Sequence, residues 1–197
     1  MNIQIDNDLG TSPVGRDTML IAKCASKLKF KTALDVGTGT GFVSIYLTTC
    51  GFHCDGSDIN PMSISCAKKN AARNKFQIHF SVSDLFKNIE KRYDLIIFNP
   101  PFGNVNSSLF SKYLEILKSM LPKENKIIAG ISFRLIRKQR EKLIKQFLLT
   151  CTDFLTKVGL VLILLHDSEL LLLNGMKFLI VDGYDNMKLI LINFQSN

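Results

Sequence analysis

Apolar positions along this chain come in short blocks, and their spacing switches between the period of a helix and that of a strand. The first twelve residues are polar and predict an irregular lead-in. Met19, Leu20, Ala22, Cys24 and Leu28 then recur at helical spacing, with Asp17 or Thr18 as the expected N-cap. Thr32–Val36 is a compact apolar run that predicts a strand. It opens into Gly37, Gly39 and Gly41, after which Phe42–Thr49 reads as a helix closed by Gly51. Residues 52–57 predict a short strand that ends at Asp58-Ile59-Asn60-Pro61. Pro61 suits the first turn of the next helix, which runs to about Arg73 with Ile64, Ala67 and Ala71 inward and Asn70 and Asn74 toward solvent. Residues 76–82 alternate apolar and polar, and Tyr93–Phe98 is almost continuously apolar, as a buried parallel strand is.

Beyond that strand the pattern predicts a helix over about Leu109–Leu121 and an additional strand or lid segment at Lys126–Phe133. A helix over 134–156 follows, with Leu135, Leu143, Ile144, Phe147, Leu148 and Phe154 on its apolar side. Gly159–Leu165 reads as a strand and Ser168–Leu173 as a short helix. Lys177–Val181 and Met187–Phe194 read as two strands around the turn Gly183-Tyr184-Asp185-Asn186. Strands that alternate with helices predict an α/β fold with a mostly parallel, doubly wound sheet, whose edge the last hairpin closes antiparallel. No repeat or linker interrupts the pattern, so the expectation is one domain over 1–197, with 1–30 as lead-in and helix and 104–133 as a lid or insertion.

Composition narrows the class. At 197 residues and 46% hydrophobic the chain can bury a large core, and no uninterrupted apolar run reaches the length of a membrane span. The start lacks the basic and apolar parts of a signal peptide, and five cysteines without a C-x-x-C pair read as reduced thiols, so the expected setting is cytoplasmic. His53, His79 and His166 lie far apart and suggest no metal site. The net charge of +8 is concentrated: residues 112–157 hold eleven Lys/Arg against four Asp/Glu. Such a band reads either as a phosphate-contacting face or as a solvated helix surface.

Two stretches carry chemistry. Leu34-Asp35-Val36-Gly37-Thr38-Gly39-Thr40-Gly41 sits between a strand and a helix, where backbone N–H groups and a helix N-terminus meet whatever lies at the strand's carboxyl end. Its spacing is G-x-G-x-G rather than the dinucleotide pattern, and Asp35 turns an anion toward the ligand, which favours a cation over a pyrophosphate. A glycine-rich turn without a ligand is the competing reading. Asp58, at the next strand tip, can accept both hydroxyls of a ribose or can cap the following helix. Asp84 and Leu85, at the third, can meet an adenine amine and ring, or Asp84 can act as a cap. The second stretch is Asn99-Pro100-Pro101-Phe102-Gly103. Two prolines fix φ and remove N–H donors, which stiffens an extended loop. The Asn99 side chain and the Pro100 carbonyl would then accept from a planar N–H₂ group stacked on Phe102.

With both stretches in place, the chain resembles class I S-adenosylmethionine (SAM) methyltransferases of the amino-methylating branch, which includes HemK-like glutamine-N5 and adenine-N6 enzymes. The resemblance implies a Rossmann-like, seven-stranded, mostly parallel sheet with an antiparallel edge strand. It implies that Asp35, Gly37, Thr38, Gly39 and Gly41 hold the methionine part of SAM and that Asp58 holds the ribose. Ile59, Asp84 and Leu85 would border the adenine, Asn99 would also touch the cofactor, and Asn99, Pro100, Pro101 and Phe102 would hold the acceptor nitrogen. Arg16 and Thr18 stand where HemK-like proteins bring an N-terminal segment over the cofactor. The chain departs from that group in carrying Phe102 where tyrosine is usual, and the separate N-terminal helical domain of the bacterial HemK-like proteins is not represented in these residues.

The expected reaction is direct in-line transfer from sulfonium to nitrogen, with no covalent intermediate and no metal. The basic band and Phe102 point to adenine N6 in RNA or another nucleic acid as acceptor. The alternatives are a glutamine amide of a protein, and a non-catalytic SAM- or nucleic-acid-binding module. A small partner subunit is allowed for, and no membrane is expected.

Overall fold

The structure is a computed structural model, and it describes residues 3–7, 13–101 and 126–194, with side chains from 134 onward in the last stretch. Its elements, in order, are α1 (Arg16–Ala25), β1 (Thr32–Val36), α2 (Phe42–Thr49), β2 (His53–Asp58), α3 (Pro61–Arg73), β3 (Phe80–Val82), β4 (Tyr93–Phe98), α4 (Lys126–Thr150), β5 (Leu155–His166), β6 (Lys177–Tyr184) and β7 (Met187–Asn193). Short 3-10 segments occupy Cys151–Phe154 and Asp167–Leu173. Packing divides the chain into two compact units, 1–99 with 147–197, and 100–146.

The first unit is built on a seven-stranded sheet in the order β3-β2-β1-β4-β5-β7-β6. Five neighbouring strands are parallel, and the β6–β7 hairpin closes the edge antiparallel. From β1 the chain steps outward to β2 and β3, then returns to place β4 on the other side of β1. That reversal makes the carboxyl ends of β1 and β4 the switch point of the sheet, where ligands of open α/β sheets bind. Register aligns Val36 with Phe98, so Gly37 and Asn99 leave neighbouring strands side by side.

The central strands are buried on both faces, which is why they read as apolar runs: Leu34, Leu95, Ile96, Ile97 and Ile163 are fully covered. One face packs Ile21, Ala22 and Ala25 of α1 with Phe42, Val43 and Leu47 of α2. On the other, Phe147 stacks on Phe98 at 4.4 Å between ring centroids, and Phe86 stacks on Phe154 at 4.8 Å. At the amino end of the sheet the Asp94 carboxylate ties three strands. It accepts from the Thr32 N–H and Oγ1 of β1 and from Thr156 Oγ1 of β5. Burial alone would raise its pKa, but these donors outweigh it and hold the carboxyl below the ordinary range.

Several sequence expectations change. α1 starts at Arg16 behind Gly15, without a side-chain cap from Asp17 or Thr18, and ends at Ala25 rather than Leu28. The Arg16 guanidinium lies over the Tyr184 ring, 4.0 Å from its centroid, in the β6–β7 hairpin at the far edge of the sheet. β3 holds only Phe80–Val82 of the expected 76–82, because it is an edge strand paired with Gly56–Asp58 alone. Lys126–Phe133 is helical, the first two turns of α4, and not a strand. Leu135 of that helix is exposed.

Asn70 and Asn74 do not face solvent together. Asn70 is buried, and its amide nitrogen donates to the Thr40 carbonyl at 2.9 Å and to the Asp6 carbonyl at 3.0 Å, while its oxygen accepts from the Asp6 N–H. Asn74 exchanges the same kind of pair with Gln4. An asparagine offers donors and an acceptor at one point, which matches an extended backbone. The two residues, four apart on α3, therefore zip residues 4–6 onto the helix, and Asn70 also holds the end of the glycine loop.

Candidate functional site

The site is assembled at the carboxyl ends of β1, β2, β3 and β4. After Val36 the backbone enters the left-handed region at Gly37, Gly39 and Gly41. Two of these glycines work differently. A Cβ on Gly39 would meet nothing within 4 Å, so its conformation leaves the loop open to a ligand. A Cβ on Gly41 would come within 2.9 Å of the Ala67 Cβ, so Gly41 is required by the approach of α3 and not by a ligand. Gly41 also caps α2, and Thr38 closes the turn by accepting the Gly41 N–H at 2.9 Å.

Asp35 lies buried beneath the loop. Its Oδ2 accepts from Thr38 Oγ1 at 2.7 Å and from Ser44 Oγ at 3.1 Å. Burial pushes its pKa up to about 6, against the pull of the two hydroxyls and with a further push from the Asp58 charge. A carboxylate poised in this way gains most from a cation that neutralises it. Ser44, on the first turn of α2, had no signal in the sequence beyond its place after the loop.

Asp58, at the end of β2, accepts the Gly39 N–H on Oδ2 at 3.0 Å and the Asn60 N–H on Oδ1 at 2.9 Å. Burial again raises its pKa, opposed by these donors. It does not cap α3: Asn60 does, its side chain accepting the Met62 N–H at 3.0 Å. Each carboxylate oxygen has capacity for more than one donor, so Asp58 braces the loop and can still accept hydroxyls. Ile59 and Met62 are each 56% exposed and Val82 is 42% exposed, three apolar side chains at the β2 and β3 tips. Met62 had no signal because an isolated apolar residue carries no sequence pattern, and Val82 read only as part of the strand alternation over 76–82.

At the β3 tip, Asp84 pairs with Lys87 at 2.6 Å on the surface. Leu85 is buried at φ +51°, a conformation that costs a branched residue energy and marks a constrained turn. Ser83 braces this turn, donating to the Leu85 carbonyl and accepting the Asn88 N–H.

Asn99 is half-buried and follows Phe98, whose ring a Cβ on Gly37 would approach to 3.8 Å. Glycine loop and asparagine therefore flank one point. Pro100 and Pro101 open the second unit, and within it the Arg140 guanidinium donates to the Pro100 carbonyl. Arg140 is only 3% exposed, on the inward side of α4, although it belongs to the basic band 112–157 that read either as a phosphate-contacting face or as a solvated surface. A carbonyl has two lone pairs, so this bond is compatible with a second donor. Phe102 and Gly103, and most of the expected lid or insertion 104–133, lie outside the described residues.

Comparison with known proteins adds a family and relatives. Residues 11–128 match the methyltransferase small domain family. A candidate protein N5-glutamine methyltransferase from Methanocaldococcus jannaschii is 41% identical over 87 residues, 44% of each chain. A ribosomal RNA small subunit methyltransferase C from Alcanivorax borkumensis is 33% identical over 69 residues, 35% of this chain and 21% of that one. The chain thus spans less than half the length of these relatives. Among solved structures, a ribosomal protein L11 methylase from Lactobacillus delbrueckii subsp. bulgaricus superimposes with a TM-score of 0.66 at 18% identity, covering 95% of this chain and 83% of that one, which shows a shared fold.

Proposed function

The chain belongs to the methyltransferase small domain family, and from that premise we propose that it transfers a methyl group from SAM to a planar amino or amide nitrogen. One observation carries the reading: the open glycine loop, the buried Asp35, the half-buried Asp58 and Asn99 meet at the switch point of the sheet. The residues fit SAM. Asp35 offers a buried anion to its ammonium, Gly37, Thr38 and Gly39 line the approach, and Asp58 offers acceptors to the ribose hydroxyls. Ile59, with Leu85 and Asp84, borders the adenine. SAM supplies an electrophilic methyl on a positively charged sulfur.

The protein's part is then to orient the acceptor. Asn99 Oδ1 accepts one amine hydrogen, and the Pro100 carbonyl, held by Arg140, takes the other. Both acceptors stabilise the positive charge that grows on nitrogen as it is alkylated. Pro101 keeps the corner extended, and Phe102 supplies a stacking face. Hydroxyl and carbon acceptors lack two hydrogens in one plane and are not held.

For the acceptor we favour RNA, with adenine N6 as the first target to test, because the basic residues are concentrated in one band. The second reading, a protein glutamine amide, is favoured by the 41% identity to the archaeal relative. Labelled SAM, purified protein and fractionated cellular RNA and protein separate them. RNase-sensitive label supports the first reading; protein-bound, RNase-resistant label supports the second. Asn99→Ala is expected to lower transfer by about 100-fold or more while the Kd for SAM stays within about three-fold. A variant that kept its rate would support the non-catalytic module instead.

A further inference from the structure

Helix α4 carries a charge pattern that methyl transfer itself does not use. Between Lys126 and Thr150 it has seven Lys/Arg and a single acid, Glu141. Arg134, Lys138, Lys142 and Lys145 are all exposed. At about 100° per residue these four fall within an arc of roughly 80°, and at about 1.5 Å per residue they span about 16 Å of helix. Arg137 flanks them, held to Glu141 at 2.9 Å. The inward side carries Arg140 and Ile144, so the basic stripe faces solvent.

Like charges in one row repel and weaken an isolated helix by a few tenths of a kcal/mol per pair. A mixed, solvated face would intersperse acids at i±4 to offset this. Here the one acid, Glu141, stands four residues before Lys145 but is drawn to Arg137, and Arg134-Lys138-Lys142 run at i, i+4, i+8 with no acid four residues from any of them. No aromatic side chain interrupts the row either, so it offers cations for a backbone and no platform for base stacking.

Resting on the RNA reading of the acceptor, we propose that this stripe is the docking surface for the RNA phosphate backbone. Arg134, Lys138, Lys142 and Lys145 would each neutralise a phosphate. They would set register without reading sequence, leaving base choice to the acceptor corner.

The test is fluorescence anisotropy with a fluorescein-labelled RNA hairpin, titrated with full-length protein at several KCl concentrations. Four phosphate contacts predict that log K falls with log [KCl] about 3 to 3.6 units more steeply than in a variant lacking them. From about 50 mM to about 200 mM KCl, that is about 50- to 150-fold more affinity lost by the wild type. The variant changes all four stripe residues to Gln. A control changes Lys23, Lys27, Lys29 and Lys31, four exposed lysines around α1, to Gln, which removes the same net charge elsewhere. Circular dichroism and SAM calorimetry confirm that both stay folded.

A slope lost in the stripe variant and kept in the control supports the proposal. Equal loss in both, no loss in either, or no RNA binding by the wild type at about 50 mM KCl overturns it. So does preferential binding to phosphatidylserine vesicles. The RNA-acceptor reading fails by a separate readout, RNase-resistant label, whatever the slope.

Discussion

The residue that decides most is Asp35. Its carboxyl is held near a pKa of about 6 by burial, with Thr38 and Ser44 pulling the other way. A cationic ligand binds the ionised form, so protons compete with it below about pH 6 and not above. The Kd for SAM is therefore expected to be flat from about pH 7 to 8 and to rise about ten-fold for each unit below the pKa, where one proton must be released on binding. Asp35→Asn should bind weakly with a flat profile, and calorimetry across this range measures both. A wild-type profile without a break near pH 6 would remove Asp35 from the cation site. The same scale separates one member of the basic band from the rest. Arg140 is buried and bonded to the Pro100 carbonyl, where the band read as a phosphate-contacting or solvated face. A guanidinium is the same letter in either place, and only its helix phase against a neighbouring segment distinguishes them.

At the scale of elements, the glycine loop is a junction between β1, α2 and α3. Gly41 touches Ala67 of α3, and Asn70 of α3 bonds Thr40. Gly41→Ala must therefore push α3 outward as well as hold a Cβ at φ +80°, and a cost of about 2 to 4 kcal/mol is expected. Ala67→Gly in the same chain should recover part of it by removing the atom that clashes. Gly39→Ala meets only the backbone penalty, about 1 to 2 kcal/mol, since nothing stands near its Cβ. Denaturant melts of the three variants test this, and equal losses at the two glycines would refute the packing account. Strand positions were legible where burial on both faces makes a run apolar, as in Tyr93–Phe98. They were less so at β3, where alternation began at residue 76, before the first ladder partner, Phe80.

For the whole molecule, the first unit places the proposed ligand groups across the switch point, so a ligand bound there and the fold would stabilise each other. SAM at about 100 times its Kd should stabilise the native state by about 2.7 kcal/mol. For a chain of this size that is a rise of roughly 5 to 11 °C in Tm. NAD should give no comparable shift, because the loop lacks the dinucleotide spacing and presents Asp35 instead. A thermal-shift series with SAM, its demethylated product and NAD checks this, and a larger response to NAD would reverse the cofactor assignment.

By itself the sequence settled the order of strands and helices up to Phe98, the glycine loop and the carboxylates at successive strand tips. These are local consequences: burial on both faces writes apolar runs, tight turns demand glycine, and strand ends expose whatever follows them. Tertiary structure decided the rest. It determined that Gly41 serves α3, that Asn70 anchors the N-terminal segment, that Asn60 rather than Asp58 caps α3, and that Arg140 turns inward while four neighbours form one stripe. Each depends on contacts between residues distant in the chain or on helix phase relative to a packing surface, and a side chain's identity encodes neither.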